Sequence, residues 1–388
     1  MDSIRTAAST DTKPRSNQEG TGRANTCLST DALQALYKNL MDVRAATTAL
    51  ASPLSDADAS VQSMPDASPA KWHLAHTSWF FEAFVLVPLV AGYGVYDSAY
   101  NYLFNSYYEQ VGARHPRPQR GMITRPSLDD ILAYRAHVDR ALEALAESAQ
   151  AASAASLIEL GLHHEQQHQE LLLTDILYLF AQNPLAPAYV RPIGQETLTP
   201  PQFLPQTAQK PSRADEAGDE AAGRVPTHTL SHGPAPDALP LAWHGFTAGQ
   251  YDIGASPRGF AYDNERPRHT RYLQDFSVAN RPVTNGEWLA FITDGGYRNP
   301  LFWLSDGWAA VGREGWQAPL HWRDCGGTWG QMTLAGLVAL NPAAPVTHIS
   351  YYEADAFAAW AAAQWQGARL PREDEWEIAA QHAAKEGA

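Results

Sequence analysis

At 388 residues the chain is too long for one ordinary core and predicts two domains, each large enough to bury its own interior. Lysine and arginine number 28 against 42 aspartates and glutamates, a formal charge of −14; this argues against a nucleic-acid or anionic-membrane surface and leaves small molecules as the expected partners. The two cysteines are Cys27, in a polar tail with no fixed geometry for a bridge, and Cys325, a usage that fits a reducing compartment.

Residues 1–28 are polar and lack the apolar core of a secretory signal, so they read as a disordered tail. The longest apolar stretch, Phe80 to Ala91, contains Glu82 and Pro88 and falls short of the ~20 residues that span a bilayer. A cytoplasmic location is therefore expected.

Ser29 to Leu50 carries Leu33, Leu36, Leu40 and Val43 at helical spacing behind a Ser-Thr-Asp cap, which predicts a first helix. A second starts at Ser68-Pro69, places Trp72, His76, Trp79 and Ala83 on one stripe, and ends near Pro88. The segment YNYLFNSYYEQVGARHPRPQRG reads as a long aromatic and basic loop of functional type. Ser127 opens a third helix to about Glu147, and a fourth runs from about Ala152 to Phe180. Helices of these lengths predict a four-helix bundle over residues 29–182. Residues 183–239 are rich in Pro, Ala, Gly, Gln and Thr and read as a linker. From 240 to 388 short apolar runs, many glycines and tryptophans, and only two convincing helices, near Asn285–Asp294 and Tyr352–Trp365, predict an irregular α+β domain.

In the fourth helix Leu157, Leu160, His164, His168, Leu171 and Asp175 follow steps of three and four, so both histidines lie on one stripe. Residues four apart rise by about 6 Å along one face, which lets two imidazoles converge on one ion. His163 has Gln167 at that spacing and cannot form the same pair. A third ligand is available in WHLAH on the second helix. Periodicity prefers His76 only slightly over His73, because Phe80 and Phe84 make the His73 stripe apolar as well. A single buried imidazole often only bonds a carbonyl, but three at ligand spacing are costly in a core unless a metal offsets their polarity. Three neutral imidazoles suit an octahedral iron with open positions, and they suit zinc equally.

At these residues the sequence resembles a known family. SPAKWHLAH, YNYLFNSYYEQVG and GLHHEQQHQELL are similar to the DinB-like bundle of the ergothioneine-biosynthesis sulfoxide synthases. DNERPRH, RPVTNGEWLAFI, SDGW, PVTHISYYEADAFAAW and ARLPREDEWEIAA resemble the C-type-lectin-like, formylglycine-generating-enzyme-like domain of the same family. The resemblance covers about Ala32 to Ala380 without the linker. It implies a non-haem Fe(II), oxygen-dependent enzyme joining the imidazole C2 of hercynine to the sulfur of cysteine or γ-glutamylcysteine as a sulfoxide. It further implies His76, His164 and His168 as iron ligands, Gln167 as a hercynine contact, and Tyr107 and Tyr108 as catalytic proton or electron donors. Arg114, Arg117 and Arg120 are candidates for a substrate carboxylate, since a guanidinium can hold one bidentately; a solvated basic loop explains them equally well. The family's second domain continues well past ARLPREDEWE, so a strand-rich closing part that lines the substrate cleft is expected to be missing. Two further functions compete: a zinc-type thiol S-transferase that needs no oxygen, and a ligand-binding module with a tryptophan-rich stacking surface.

Overall fold

In a computed structural model, which describes residues 28–106, 112–190, 197–198, 239–365 and 367–386, the first half is helical and the second holds small sheets with helices. The chain is α+β, as its patterning predicts. Helix α1 spans Thr30–Ala51, and Ser29 Oγ caps it by accepting the Ala32 N–H. A five-residue α2, Asp56–Ser60, follows behind a Ser55/Asp58 capping box. It is absent from the sequence reading because it carries no apolar period. Helix α3 covers Ala70–Phe81, every residue of it buried. It continues through a π-helical turn, Glu82–Leu86, into α4, Val87–Leu89, where Pro88 supplies no N–H.

The stretch read as an aromatic and basic loop is only partly irregular. It holds α5, Tyr100–Phe104, and a 3₁₀ turn, Arg117–Met122. Five residues are too few for a periodic signal. Tertiary packing supplies the order instead: Tyr100 and Phe104 are buried, and Tyr100 meets Tyr134 edge-on at 5.0 Å. Helices α6, Leu128–Ala146, and α7, Ala151–Ala181, complete the long elements, α6 opening on a Ser127/Asp130 capping box. Helix α7 packs against both α1 and α3, and α3 packs against α6.

In the second half β1 (Trp243–Phe246) pairs antiparallel with β4 (Phe276–Ala279), and β2 (Gly249–Ile253) with β3 (His269–Leu273). Strands β5 (Trp322–Asp324), β6 (Trp329–Thr333) and β7 (Gly336–Ala339) form an antiparallel meander. Four helices accompany them: α8 (Asn285–Thr293), α9 (Ser305–Glu314), α10 (Tyr351–Ala361) and α11 (Glu373–Glu386). The sequence reading anticipates α8 and α10 and misses α9 and α11. Helix α9 contains Gly307 and Gly312, which lower its intrinsic propensity. Gly307 is required by packing, because a Cβ there would lie 2.7 Å from Tyr352 Cβ. Most residues of α11 are polar or charged; Glu375 near its start accepts from Arg369 and Arg372.

Trp288, Phe291, Tyr297, Trp303, Phe357 and Trp360 form the core of α8–α10. The helical half has its own core, and Met332 of β6 and Leu337 of β7 belong to it. The meander is therefore packed on the helices rather than tethered to them. Arg323 of the same sheet donates through Nη2 to the Ala181 carbonyl at the end of α7, 3.1 Å away.

Candidate metal centre

Helix α3 carries His73 and His76, and α7 carries His164 and His168. One ligand nitrogen from each of His76, His164 and His168 lies within 4.8 Å of the other two. The two helices approach closely at Gly161, where an added Cβ would lie 2.4 Å from Phe81 and 2.8 Å from Phe80. A side chain at that position would push α7 off α3 and separate His164 from His76.

His76 and His168 are each held through one ring nitrogen with the other left over. His76 Nδ1 lies 2.6 Å from the Phe104 carbonyl, so it donates there and leaves Nε2 with a lone pair. His168 Nδ1 lies 2.9 Å from His73 Nδ1, and His73 Nε2 lies 3.0 Å from Asp175 Oδ2. A carboxylate only accepts, so His73 donates from Nε2, accepts at Nδ1 from His168, and leaves His168 Nε2 unprotonated. Asp175 Oδ2 also accepts the Ser68 N–H at 2.9 Å. His164 Nδ1 is buried and has no hydrogen-bond partner among the described residues.

Burial keeps these rings neutral. It lowers His76 well below its ordinary range, with the neighbouring His164 adding to the shift. It lowers His164 to about 4, against the opposing field of Glu165. It also depresses His168, helped by His76 and His73. Three neutral imidazoles on facing helices, one with an orphaned nitrogen, fit a divalent ion of the iron or zinc type. Neighbouring π faces hold the ring of His76: Trp72 stacks on it at 4.6 Å and 12°, and Trp79 at 5.4 Å and 18°.

A buried ion network fixes the helices that present these ligands. Glu165, between the two α7 histidines, accepts from Arg44 Nη1 of α1 at 2.9 Å and from Arg135 Nη2 of α6 at 2.7 Å. Arg44 reaches Ser78 of α3 and pairs with Asp139 of α6, while Arg135 donates to the Leu74 carbonyl of α3. Burial pushes the Glu165 carboxyl up, but the two guanidinium groups outweigh it and hold the group at about 2. The network spans all four long helices. Losing one member would leave an uncompensated buried charge, a cost of roughly 3–5 kcal/mol.

Residues 39–172 match the DinB superfamily, and residues 245–388 match the sulfatase-modifying factor enzyme 1-like domain. Over 354 residues, 89% of this chain and 65% of the relative, the sequence is 33% identical to a hercynine oxygenase from Mycolicibacterium thermoresistibile. A hercynine oxygenase from Mycobacterium tuberculosis is 46% identical over 128 residues, 33% of this chain and 28% of that protein. The second half is also similar to enzymes of another name: a formylglycine-generating enzyme from Streptomyces coelicolor is 29% identical over 177 residues, 40% of this chain and 53% of that one. The chain is similar to hercynine oxygenases. It spans less than two thirds of the length of the hercynine oxygenases it matches.

The other sequence-predicted site residues fall in three places. Gln167 is an exposed residue of α7, one position before His168. Tyr107 and Tyr108 lie outside the described residues. Arg114 and Arg117 line a cavity of about 390 Å³ together with Ser106, His115 and Arg120. Arg114 Nη1 donates to the Ser106 carbonyl, and Arg117 Nε donates to the Asp66 carbonyl at 3.0 Å. Arg120 is only 4% exposed, and its guanidinium carbon sits 3.4 Å above the Trp72 ring. The second half reaches α7, where Phe260 stacks on His163 at 3.9 Å.

Sequence reasoning placed Asp175 on the His164 stripe and gave it no role, and it left His73 and His76 nearly equal. The signal that separates the two histidines is tertiary: His76 points at the α7 pair, and His73 points at the back of His168. Glu165 lies inside the motif and was not singled out, because its partners come from α1 and α6.

Proposed function

We propose that this chain is a non-haem Fe(II), oxygen-dependent sulfoxide synthase that joins the imidazole C2 of hercynine to the sulfur of cysteine or γ-glutamylcysteine. The convergence of His76, His164 and His168 carries this reading, together with the similarity to hercynine oxygenases. The proposal includes a four-helix DinB-like bundle over 29–182, a C-type-lectin-like domain over 240–388, and a cytoplasmic setting.

The reaction balances without an external reductant. Hercynine loses its C2 hydrogen and the thiol its sulfur hydrogen, a C–S bond forms, one oxygen atom ends on sulfur, and the other leaves as water. The iron, when bound, supplies a site at which oxygen and the thiolate can meet and exchange electrons. His76, His164 and His168 would hold it. The His73–Asp175 pair would keep His168 in the ligating tautomer. Gln167, with one amide donor group and one acceptor, would orient hercynine beside the centre. Arg114 and Arg117 would hold a carboxylate of the thiol substrate. Tyr107 and Tyr108 would serve as proton or electron donors.

Anaerobic Fe(II) loading, followed by hercynine, each thiol and air, tests the reading by product mass. A sulfoxide whose mass contains both substrates is expected. Stoichiometric Fe(II) binding with only thiol oxidation products would reject the coupling reaction. Failure of Fe(II) to bind where Zn(II) binds would favour a thiol S-transferase.

A further inference from the structure

The arginine cavity and the metal centre are joined by four consecutive residues. Leu103 O accepts Trp72 Nε1 at 3.2 Å, and Phe104 O accepts His76 Nδ1 at 2.6 Å. Asn105 Nδ2 donates to the Gly112 carbonyl at 3.2 Å. The Ser106 carbonyl accepts Arg114, and Ser106 Oγ accepts Arg120 Nη2 at 3.3 Å. A second connection runs through side chains. The Arg120 guanidinium lies on Trp72, and Trp72 lies nearly parallel on His76. Arg120 and Ser106 both line the cavity, so an anion entering it meets groups linked to those that hold the His76 ring, Arg120 through Trp72 and Ser106 through the adjoining strip.

We propose that Arg120, with the Leu103–Ser106 strip, is a positioning residue that couples anion binding in the cavity to the geometry of His76 at the metal. The inference rests on the metal reading of the preceding section and adds a thermodynamic link to it. An anion drawn to Arg114, Arg117 and Arg120 competes with the indole face for the Arg120 guanidinium. Any shift of that group is felt at Trp72 and Ser106, hence at the ring of His76 from its face and at its Nδ1 through the strip. Trp72, His76, Phe104, Asn105, Ser106 and Arg120 are buried, so both connections transmit displacement rather than absorb it. Linkage then requires reciprocity: the anion changes metal affinity by the same factor by which the metal changes anion affinity.

The test uses the full chain loaded anaerobically with Co(II), with succinate as the carboxylate probe at constant ionic strength. Succinate is expected to move the Co(II) absorption bands and to change Co(II) affinity about fivefold, with the same factor found for succinate when Co(II) is present. Arg120→Lys keeps the charge but loses the planar stack. It is expected to retain Co(II) binding and to bind succinate more weakly through Arg114 and Arg117, while at saturating succinate the band shift disappears and the coupling falls toward unity. If circular dichroism shows that this variant does not fold, Trp72→Leu, which removes both the ring between Arg120 and His76 and the bond to Leu103 O, takes its place with the same expectation. A full band shift in the variant overturns the proposal. So does a wild-type protein that binds Co(II) but fails to bind succinate, or binds it silently, and the metal reading then stands. Absence of Co(II) binding overturns both.

Discussion

His73 Nδ1 lies 2.9 Å from His168 Nδ1, with the carboxylate of Asp175 3.0 Å from the far nitrogen of His73. A chain of carboxylate, imidazole and imidazole therefore sets which nitrogen of His168 is left free. Two histidines that periodicity separates only slightly thus have different contacts, His76 on the Phe104 carbonyl and His73 between His168 and Asp175. Asp175→Asn replaces a charged, acceptor-only carboxylate by a neutral amide that can also donate, so both tautomers are no longer fixed, and outer-shell losses of this kind weaken metal binding by about 10–100-fold. Competition with a chelator under anaerobic conditions measures it. His76→Ala should abolish tight binding, whereas His73→Ala should only weaken it; the reverse pattern would exchange their assignments.

Gly161→Ala places a methyl 2.4 Å from Phe81 Cε1. Alanine gains up to about 1 kcal/mol of helix propensity over glycine. Overpacking costs roughly 1–3 kcal/mol, and here the obstacle is two buried aromatic rings. Net destabilisation in urea is expected, together with weaker metal binding because His164 moves with the backbone. A variant as stable as the parent would show that the contact between α3 and α7 is looser than its geometry indicates.

Acid should destabilise the metal-free protein within a defined window. Burial holds His164 at about 4 when folded, against an ordinary value of 6.5 when unfolded. Between these values the unfolded chain binds the proton and the folded one does not. Stability is therefore fully present above about pH 6.5 and declines as pH falls toward 4, by on the order of 3 kcal/mol from this group. His76 and His168, lowered in the same direction, steepen the decline. Glu165 does not share this window, because its carboxylate persists to about pH 2. Urea denaturation at pH 7.5, 6 and 5 checks the slope, and His164→Gln should flatten it.

Gln167→Ala should retain iron and weaken hercynine binding, since an amide beside imidazole is a poor ligand for Fe(II). Loss of iron in that variant would give Gln167 a structural role. Phe variants of Tyr107 and Tyr108 remove only hydroxyl groups. If either phenol delivers a proton, the product ratio should move from sulfoxide toward thiol sulfinate, and ~1.4 kcal/mol between the two barriers changes it tenfold. Product analysis of both single variants and the double variant decides this, and an unchanged ratio from all three removes the pair from the chemistry.

By itself the sequence determined the long helices, because caps at Ser29 and Ser127 and apolar steps of three and four are local signals. It also determined that His164 and His168 share a face, since that follows from helical pitch alone. Short elements escaped it. Helix α5 has five residues, and α9 carries glycine where Tyr352 needs room, so neither offers a period to read. Only the tertiary structure shows that His76 faces the α7 pair while His73 bonds His168 from behind, because this depends on the rotation of α3 against α7 and not on spacing within either helix. It alone joined Glu165 to Arg44 and Arg135, which lie 121 and 30 positions away in the chain. Buried charge is tolerated only when every partner arrives together, and contacts at that sequence distance leave no trace in a local pattern.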